Sequence, residues 1–162
     1  MTSPAPTGAG NRAAVAAAMP SLLAHEGVWE GEYLHLDADG ALLDRHHARV
    51  ECHFPDDGPF HYVQRNLFRW ADGRERSAEL PGVLREGRLW WDVQAFAGCA
   101  WEGGEGVILL RLDRRDAPGL SFTEAIVLGE GGKERARTWH WFRGGRLVRR
   151  TLCAERRVAG PG

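Results

Sequence analysis

Two side chains, His46 and Glu124, have the chemistry of general acid–base catalysts and stand where a folded chain could use it. An imidazole titrates near neutral pH, and Asp44, two residues before His46 and on the same side of an extended strand, could hold its tautomer. Glu124 lies among Phe122, Ile126 and Leu128. Burial there would raise its pKa, and Arg137, across the next turn, would lower it. Tyr33, His35, Gln64 and Asn66 are polar side chains that alternation puts among aromatic ones, namely Trp29, Tyr62, Phe68, Phe122 and Trp139. The candidate site is therefore His46 and Glu124 as catalytic groups, with Trp29, Tyr33, His35, Tyr62, Gln64, Asn66, Phe68, Phe122, Arg137 and Trp139 binding a ligand. Each polar group inside an apolar cavity needs a hydrogen bond, and lacking one costs roughly 1–3 kcal/mol. Such a set is either a ligand cavity with a few orienting groups or a satisfied buried network that closes one end of the fold.

Other chemistries find no motif. There is no His-x-His, His-x-x-x-His or His-Glu-x-x-His, so no metal site is expected. His47, His53 and His61 fall on the outward side of their strands. Gly129-Glu130-Gly131-Gly132-Lys133 lacks the spacing and the hydroxyl of a phosphate loop and reads as a hairpin turn. Ser3, Ser21, Ser77 and Ser121 lie in no Gly-x-Ser-x-Gly elbow. Cys52 points inward and reads as packing. No cofactor is expected.

The elements that position these residues follow from length and period. The 162 residues suffice for one well-packed domain. With 21 basic and 22 acidic residues and a net charge of -1, no global field favours nucleic acid or anionic lipid. No stretch is long and apolar enough for a membrane helix. Ala13 to Leu23 is interrupted by Pro20 and does not read as a signal segment. The expected partner is a small hydrophobic or aromatic molecule, with no nucleic acid and no membrane, and a homodimer stays open. Cys52, Cys99 and Cys153 are widely spaced, which fits a reducing cytoplasm better than a disulfide framework. Seven Trp against two Tyr suit both a core and a pocket for a conjugated ligand.

Residues 1–10 are small, with Pro and Gly, and are expected to form an unstructured tail ahead of a single domain, 11–162. The Ala-rich run 11–24 reads as a short helix with Asn11 as N-cap and a break at Pro20. After Gly27 the period becomes two, and turn signals cut the chain into about nine or ten strands. That pattern predicts an all-β antiparallel barrel or sandwich. Trp29, Tyr33 and His35 share one face with His46, Ala48, Val50 and Cys52 of the next strand, then with Tyr62, Gln64, Asn66 and Phe68. A four-residue turn at Gly129 to Gly132 would set Glu124 opposite Arg137 and Phe122 opposite Trp139. A two-residue turn at Gly144-Gly145 would put Arg149, Thr151 and Cys153 with Thr138 and His140 on the other face, unless a bulge swaps the two.

Gly27-Val28-Trp29 resembles the Gly-x-Trp signature of lipocalin-like barrels, in which the indole plugs the closed end beneath a cavity. With 25–40 (HEGVWEGEYLHLDADG), 62–73 (YVQRNLFRWADG), 87–92 (GRLWWD), 98–102 (GCAWE) and 135–151 (RARTWHWFRGGRLVRRT), nearly the whole chain after residue 24 is similar to small bacterial lipocalin-like (calycin) proteins, distant relatives of the cyanobacterial bilin lyases. The resemblance implies an up-and-down lipocalin-like barrel with the N-terminal helix near its closed end. It also implies a C-terminal arginine packed across Trp29, for which Arg149, Arg150, Arg156 and Arg157 compete. Such barrels host carriers, chromophore-handling enzymes, haem proteins and cofactor-free cyclases, so function belongs to the site. Two functions are carried forward: a cofactor-free cyclase, isomerase or lyase acting on a small aromatic or polyketide-like molecule, and a carrier using the same cavity without chemistry. Haem ligation by one inward His is the third.

Overall fold

Alternation from Gly27 onward, punctuated by glycine turns, folds as a meander whose last strand returns to pair with the first. The computed structural model describes residues 10–161, so the expected tail lies outside the described residues apart from Gly10. Ten antiparallel strands follow one another around a closed barrel. They are β1 (Gly27–Leu36), β2 (Leu42–His53), β3 (Tyr62–Arg69), β4 (Glu75–Arg85), β5 (Arg88–Asp92), β6 (Phe96–Glu102), β7 (Ile108–Arg114), β8 (Leu120–Leu128), β9 (Glu134–Arg143) and β10 (Arg146–Ala159). Closure removes every free strand edge.

The Ala-rich segment divides at Met19 into α1 (Asn11–Ala18) and α2 (Pro20–Leu23). Pro20 takes the first position of α2, where its missing N–H leaves no bond unmade. Asn11 is not the N-cap; Gly10 is. The Asn11 amide instead donates to the carbonyls of Gly58 and Phe60 at 2.9 and 3.1 Å, which ties α1 to the β2–β3 loop. Val15, Met19 and Leu22 are buried in the same core as Trp29.

At this end Trp29 is fully buried and donates its indole N–H to His25 O at 2.9 Å. The guanidinium groups of Arg135 and Arg157 lie 4.4 and 4.3 Å from its ring centroid. Arg157 is thus the C-terminal arginine that packs on the signature indole, and it also donates to the carbonyls of Ala24, Glu26 and Gly132. Arg149 lies over Trp141 instead, at 5.7 Å.

Two register expectations are corrected. The β8–β9 loop is longer than the turn read from the glycines, so Leu128 pairs with Arg135, Glu124 with Trp139 and Phe122 with Trp141. The shift is two residues, so every side chain keeps its face. Gly144 and Gly145 both take positive φ, as a two-residue hairpin turn requires. Beyond it the register slips between Leu147 and Arg149. That one-residue bulge turns Thr151 and Cys153 inward, opposite Trp139 and Arg137, rather than outward with His140.

Gly31 marks the closest approach of β1 to β10, because a Cβ there would lie 2.1 Å from Ala154 O. Gly31→Ala should therefore lower stability by about 1–3 kcal/mol through forced separation of the strands. In urea denaturation an unchanged midpoint would contradict this, and Glu32→Ala on the outward face should shift it by under about 0.5 kcal/mol.

Candidate functional site

Inside the barrel, above Trp29, two arginines and two carboxylates cancel one another. Arg137 on β9 donates Nε–H to Glu124 Oε1 at 2.6 Å and Nη1–H to Tyr33 Oη at 2.8 Å. Tyr33 donates its own O–H to Glu155 Oε1 at 3.2 Å, and Arg135 pairs with Glu155 Oε2. Burial and the Glu155 charge leave Tyr33 a phenol, its pKa pushed up despite Arg137. Glu155 loses by burial but gains more from Arg137 and Arg135, so its carboxyl is held below the usual range. Glu124 goes the other way: burial pushes its carboxyl up, and Arg137 offsets only part of that. Among the described residues no donor reaches its second oxygen, Oε2, on a side chain that is itself buried.

Toward the other end a chain of single hydrogen bonds fixes two imidazoles. The Trp141 indole can only donate, and it does so to Thr151 Oγ1 at 2.9 Å. Thr151 then gives its proton to His35 Nδ1 at 2.8 Å, and His35 Nε2–H points to His46 Nε2 at 3.0 Å. His46 Nδ1–H closes on its neighbour's carbonyl, His47 O, at 3.4 Å. Both rings are neutral in this arrangement. Burial, then the charges of His46 and Arg149, lower the His35 pKa to about 4, and burial also lowers that of His46. Asp44 does not hold the His46 tautomer; its carboxylate accepts the Trp70 indole N–H at 3.0 Å. At the strand's end the carboxylate reaches outward to the β3–β4 turn rather than back along β2.

The third group lines β3. Tyr62 Oη donates to Gln64 Oε1, and Gln64 Nε2 to Asn66 Oδ1, each at 2.9 Å. Gln64, Asn66 and Phe68 point inward yet stay partly exposed, as do Ala78 and Leu80 opposite them on β4. This stretch of the wall is the least buried part of the inward face. In the ring of ten, β3 and β8 are five places apart in either direction, so the amides face Glu124 across the lumen.

Tyr33 joins His46, Phe68 and Trp139, with ring centroids 5.0, 6.1 and 5.3 Å away. Arg137 lies 4.7 Å over Trp139. Two candidates stand apart: Trp29 is sealed at the closed end, and Phe122 packs on Trp141 at 4.6 Å. Glu155, Arg135, Thr151 and Trp141 are functional neighbours that the sequence reading did not select. Arg135 was legible, being two residues before Arg137 in a strand of period two. Glu155 and Thr151 were hidden by the β10 bulge. Depressions of about 420 and 410 Å³ on the outer wall of β8, β9, β10 and β1 hold none of the imidazole or amide groups.

These burials set the response to acid. His25 at the closed end, buried and beside Arg135, has its pKa lowered to about 3. Because His25 and His35 titrate near 6.5 when unfolded, the unfolded chain takes up protons first as pH falls. Their stabilisation is complete above pH 6.5 and is lost progressively toward pH 4 and 3. Urea midpoints should therefore drop between pH 7 and 5, above the carboxylate range, and the drop should shrink in His35→Gln. A flat profile would contradict the neutral-imidazole assignment. Glu155→Gln should cost about 3–5 kcal/mol at pH 7, as removing one partner of a buried pair does.

No protein-family model and no curated protein matches the chain. Solved structures do match in fold. A Nostoc punctiforme protein of unknown function from the DUF3598 family aligns at 19% identity and TM-score 0.65 over 85% of this chain and 49% of its own, so the chain spans about half its length. The S-type phycobiliprotein lyase CpeS from Guillardia theta aligns at 13% identity and TM-score 0.66, covering 84% of this chain and 89% of its own. Rv2717c from M. tuberculosis aligns at 18% identity and TM-score 0.54, over 86% and 96%. Among the described residues no helix is long and apolar enough to cross a membrane. The chain is a lipocalin-like barrel, distantly similar in fold to a bilin lyase.

Proposed function

We propose that the barrel binds a small conjugated molecule in its lumen and moves a proton on it without a cofactor, as an isomerase, lyase or cyclase would. The observation that carries this reading is Glu124. Arg137 clamps one carboxyl oxygen at 2.6 Å, burial raises the pKa, and the second oxygen has no donor among the described residues. A carboxyl whose pKa is raised by burial and which is held by one oxygen suits both taking a proton and returning it. Clamping also fixes where the free oxygen points, so the substrate needs only to be oriented against it.

The remaining site residues take supporting roles in this reading. Phe68, Trp139 and Tyr33 offer flat apolar walls, and Gln64 and Asn66 offer polar groups opposite Glu124. His46 lends its free ring nitrogen to His35, so it orients the lumen wall and exchanges protons only if that bond opens. That a phycobiliprotein lyase shares the fold supports a barrel that handles a conjugated molecule.

A carrier without chemistry is the second reading, and one observation favours it: the imidazole chain and most of the ion-pair network are satisfied by their own members. Exchange of the α-hydrogens of 2-tetralone in D2O, followed by NMR, separates the two. On the proposed reading the protein accelerates exchange over buffer, Glu124→Gln lowers that rate by about 10²- to 10⁴-fold, and His46→Ala lowers it by less than about tenfold. Quenching of Trp fluorescence by 2-tetralone with no acceleration of exchange would leave the carrier and overturn the enzyme.

A further inference from the structure

The inward face of β2 and β3 carries a hydrogen-bond chain headed by a buried cation. Arg135 Nη1 lies 3.6 Å from Cys52 Sγ, which lies 3.3 Å from Tyr62 Oη, and from there the chain runs through Gln64 Oε1 and Nε2 to Asn66 Oδ1. A guanidinium has five N–H groups and no acceptor. Arg135 therefore only donates; the Tyr62 proton is within reach of both Cys52 Sγ at 3.3 Å and Gln64 Oε1 at 2.9 Å, and the carbonyl oxygen is the stronger acceptor, which leaves the Cys52 thiol to donate to Tyr62 Oη. A hydroxyl has a single proton, and that of Tyr62 goes to Gln64 at 2.9 Å. The Gln64 carbonyl is then the acceptor and its NH2 the donor to Asn66, which fixes both amide orientations by the network. The last group, the Asn66 NH2, must face onward as a donor. No acceptor among the described residues meets it, and Asn66 is partly exposed on the lumen wall.

A second donor in the same wall also lacks an acceptor. Trp91 is 5% exposed, its ring meets Tyr62 edge-on at a centroid distance of 6.2 Å, and its indole Nε1 has no hydrogen-bond partner. Among the described residues the Asn66 NH2 and the Trp91 indole are thus donors without an acceptor, and the cation at the head of the chain polarises its bonds toward Asn66.

We infer that Asn66, at the end of the chain from Arg135, binds a carbonyl oxygen of the ligand, so that the lumen selects conjugated carbonyl compounds over hydrocarbons of the same shape. This rests on the lumen being the binding site. If a proton leaves the carbon beside that carbonyl for Glu124, the electron pair moves into the carbonyl and the developing oxyanion falls at the positive end of the chain. Reprotonation at a different carbon returns the Glu124 proton and completes an isomerisation, with no oxidant or reductant needed.

A matched pair of flat probes tests it: 9-fluorenone, which has the carbonyl, and fluorene, which does not. Titrated against Trp fluorescence, fluorenone should bind about 5- to 10-fold tighter, the effect of one net hydrogen bond. Its C=O stretch should shift to lower frequency when bound. Asn66→Leu should erase both the preference and the shift while keeping fluorene affinity. Cys52→Ala, which cuts the chain far from the ligand, should reduce the infrared shift, and Cys52→Ser, which can accept from Arg135 and donate to Tyr62, should restore it. Equal binding of the two probes, or a preference that survives Asn66→Leu, overturns the Asn66 assignment alone and leaves the lumen reading standing. An infrared shift unchanged in Cys52→Ala overturns the polarised chain. Failure of both probes to bind overturns the lumen reading and this inference together.

Discussion

Arg137 is the interaction on which the rest of the interior depends. Its guanidinium reaches Glu124 on β8 and Tyr33 on β1, and through Tyr33 it reaches Glu155 on β10. Four consecutive strands of the ring are thus tied inside the barrel by one side chain. Desolvating so many charges is unfavourable, and only a complete set of partners offsets it. Arg135 supplies the missing half for Glu155, which leaves two positive and two negative groups in one apolar enclosure. The network does not distribute protons evenly. Glu155 has two cations and is held ionised, whereas Glu124 has one and is pushed up by burial. Two carboxyls in one network, driven apart by their surroundings, give the interior both a structural anion and a group able to exchange a proton.

The same arginine pair divides the barrel into functions. Below it, Arg135 and Arg157 stack on Trp29, and the helices cover that end with Val15, Met19 and Leu22. Above it, the interior is lined by imidazoles and aromatic rings, and the inward residues of β3 and β4 stay partly exposed. Arg135 belongs to both halves: it stacks on the closing indole, neutralises Glu155 and heads the hydrogen-bond chain along β3. A substitution there would disturb closure and site together, which is why the chain is better probed at Cys52 and Asn66.

Period-two alternation made most of the site legible, because one register choice assigns a whole face. Trp29, Tyr33, His46, Gln64, Asn66, Glu124 and Arg137 all point where alternation puts them. The failures lie where backbone geometry departs from that period. A single bulge at the start of β10 moved Thr151, Cys153 and Glu155 to the other face, and with them the anion that balances Arg135. Asp44 was misassigned for a different reason, since neighbours on one strand face still have to choose between partners above, below and across. The Trp70 indole, arriving from β3's end, takes the Asp44 carboxylate, and nothing in the local sequence encodes that. The choice of Arg157 among four arginines was likewise settled by three backbone carbonyls from the helix–strand junction and the β8–β9 loop.

The central claim is that Glu124 is a protonatable carboxyl facing an occupiable lumen. Carbon-13 NMR of protein labelled at the glutamate carboxyls, titrated alone and with 9-fluorenone, tests it most directly. The Glu124 resonance, assigned by its loss in Glu124→Gln, should show a midpoint above the ordinary glutamate value, and that midpoint should move when the probe is bound. A Glu124 midpoint at or below the ordinary value, indifferent to the probe, would contradict the claim.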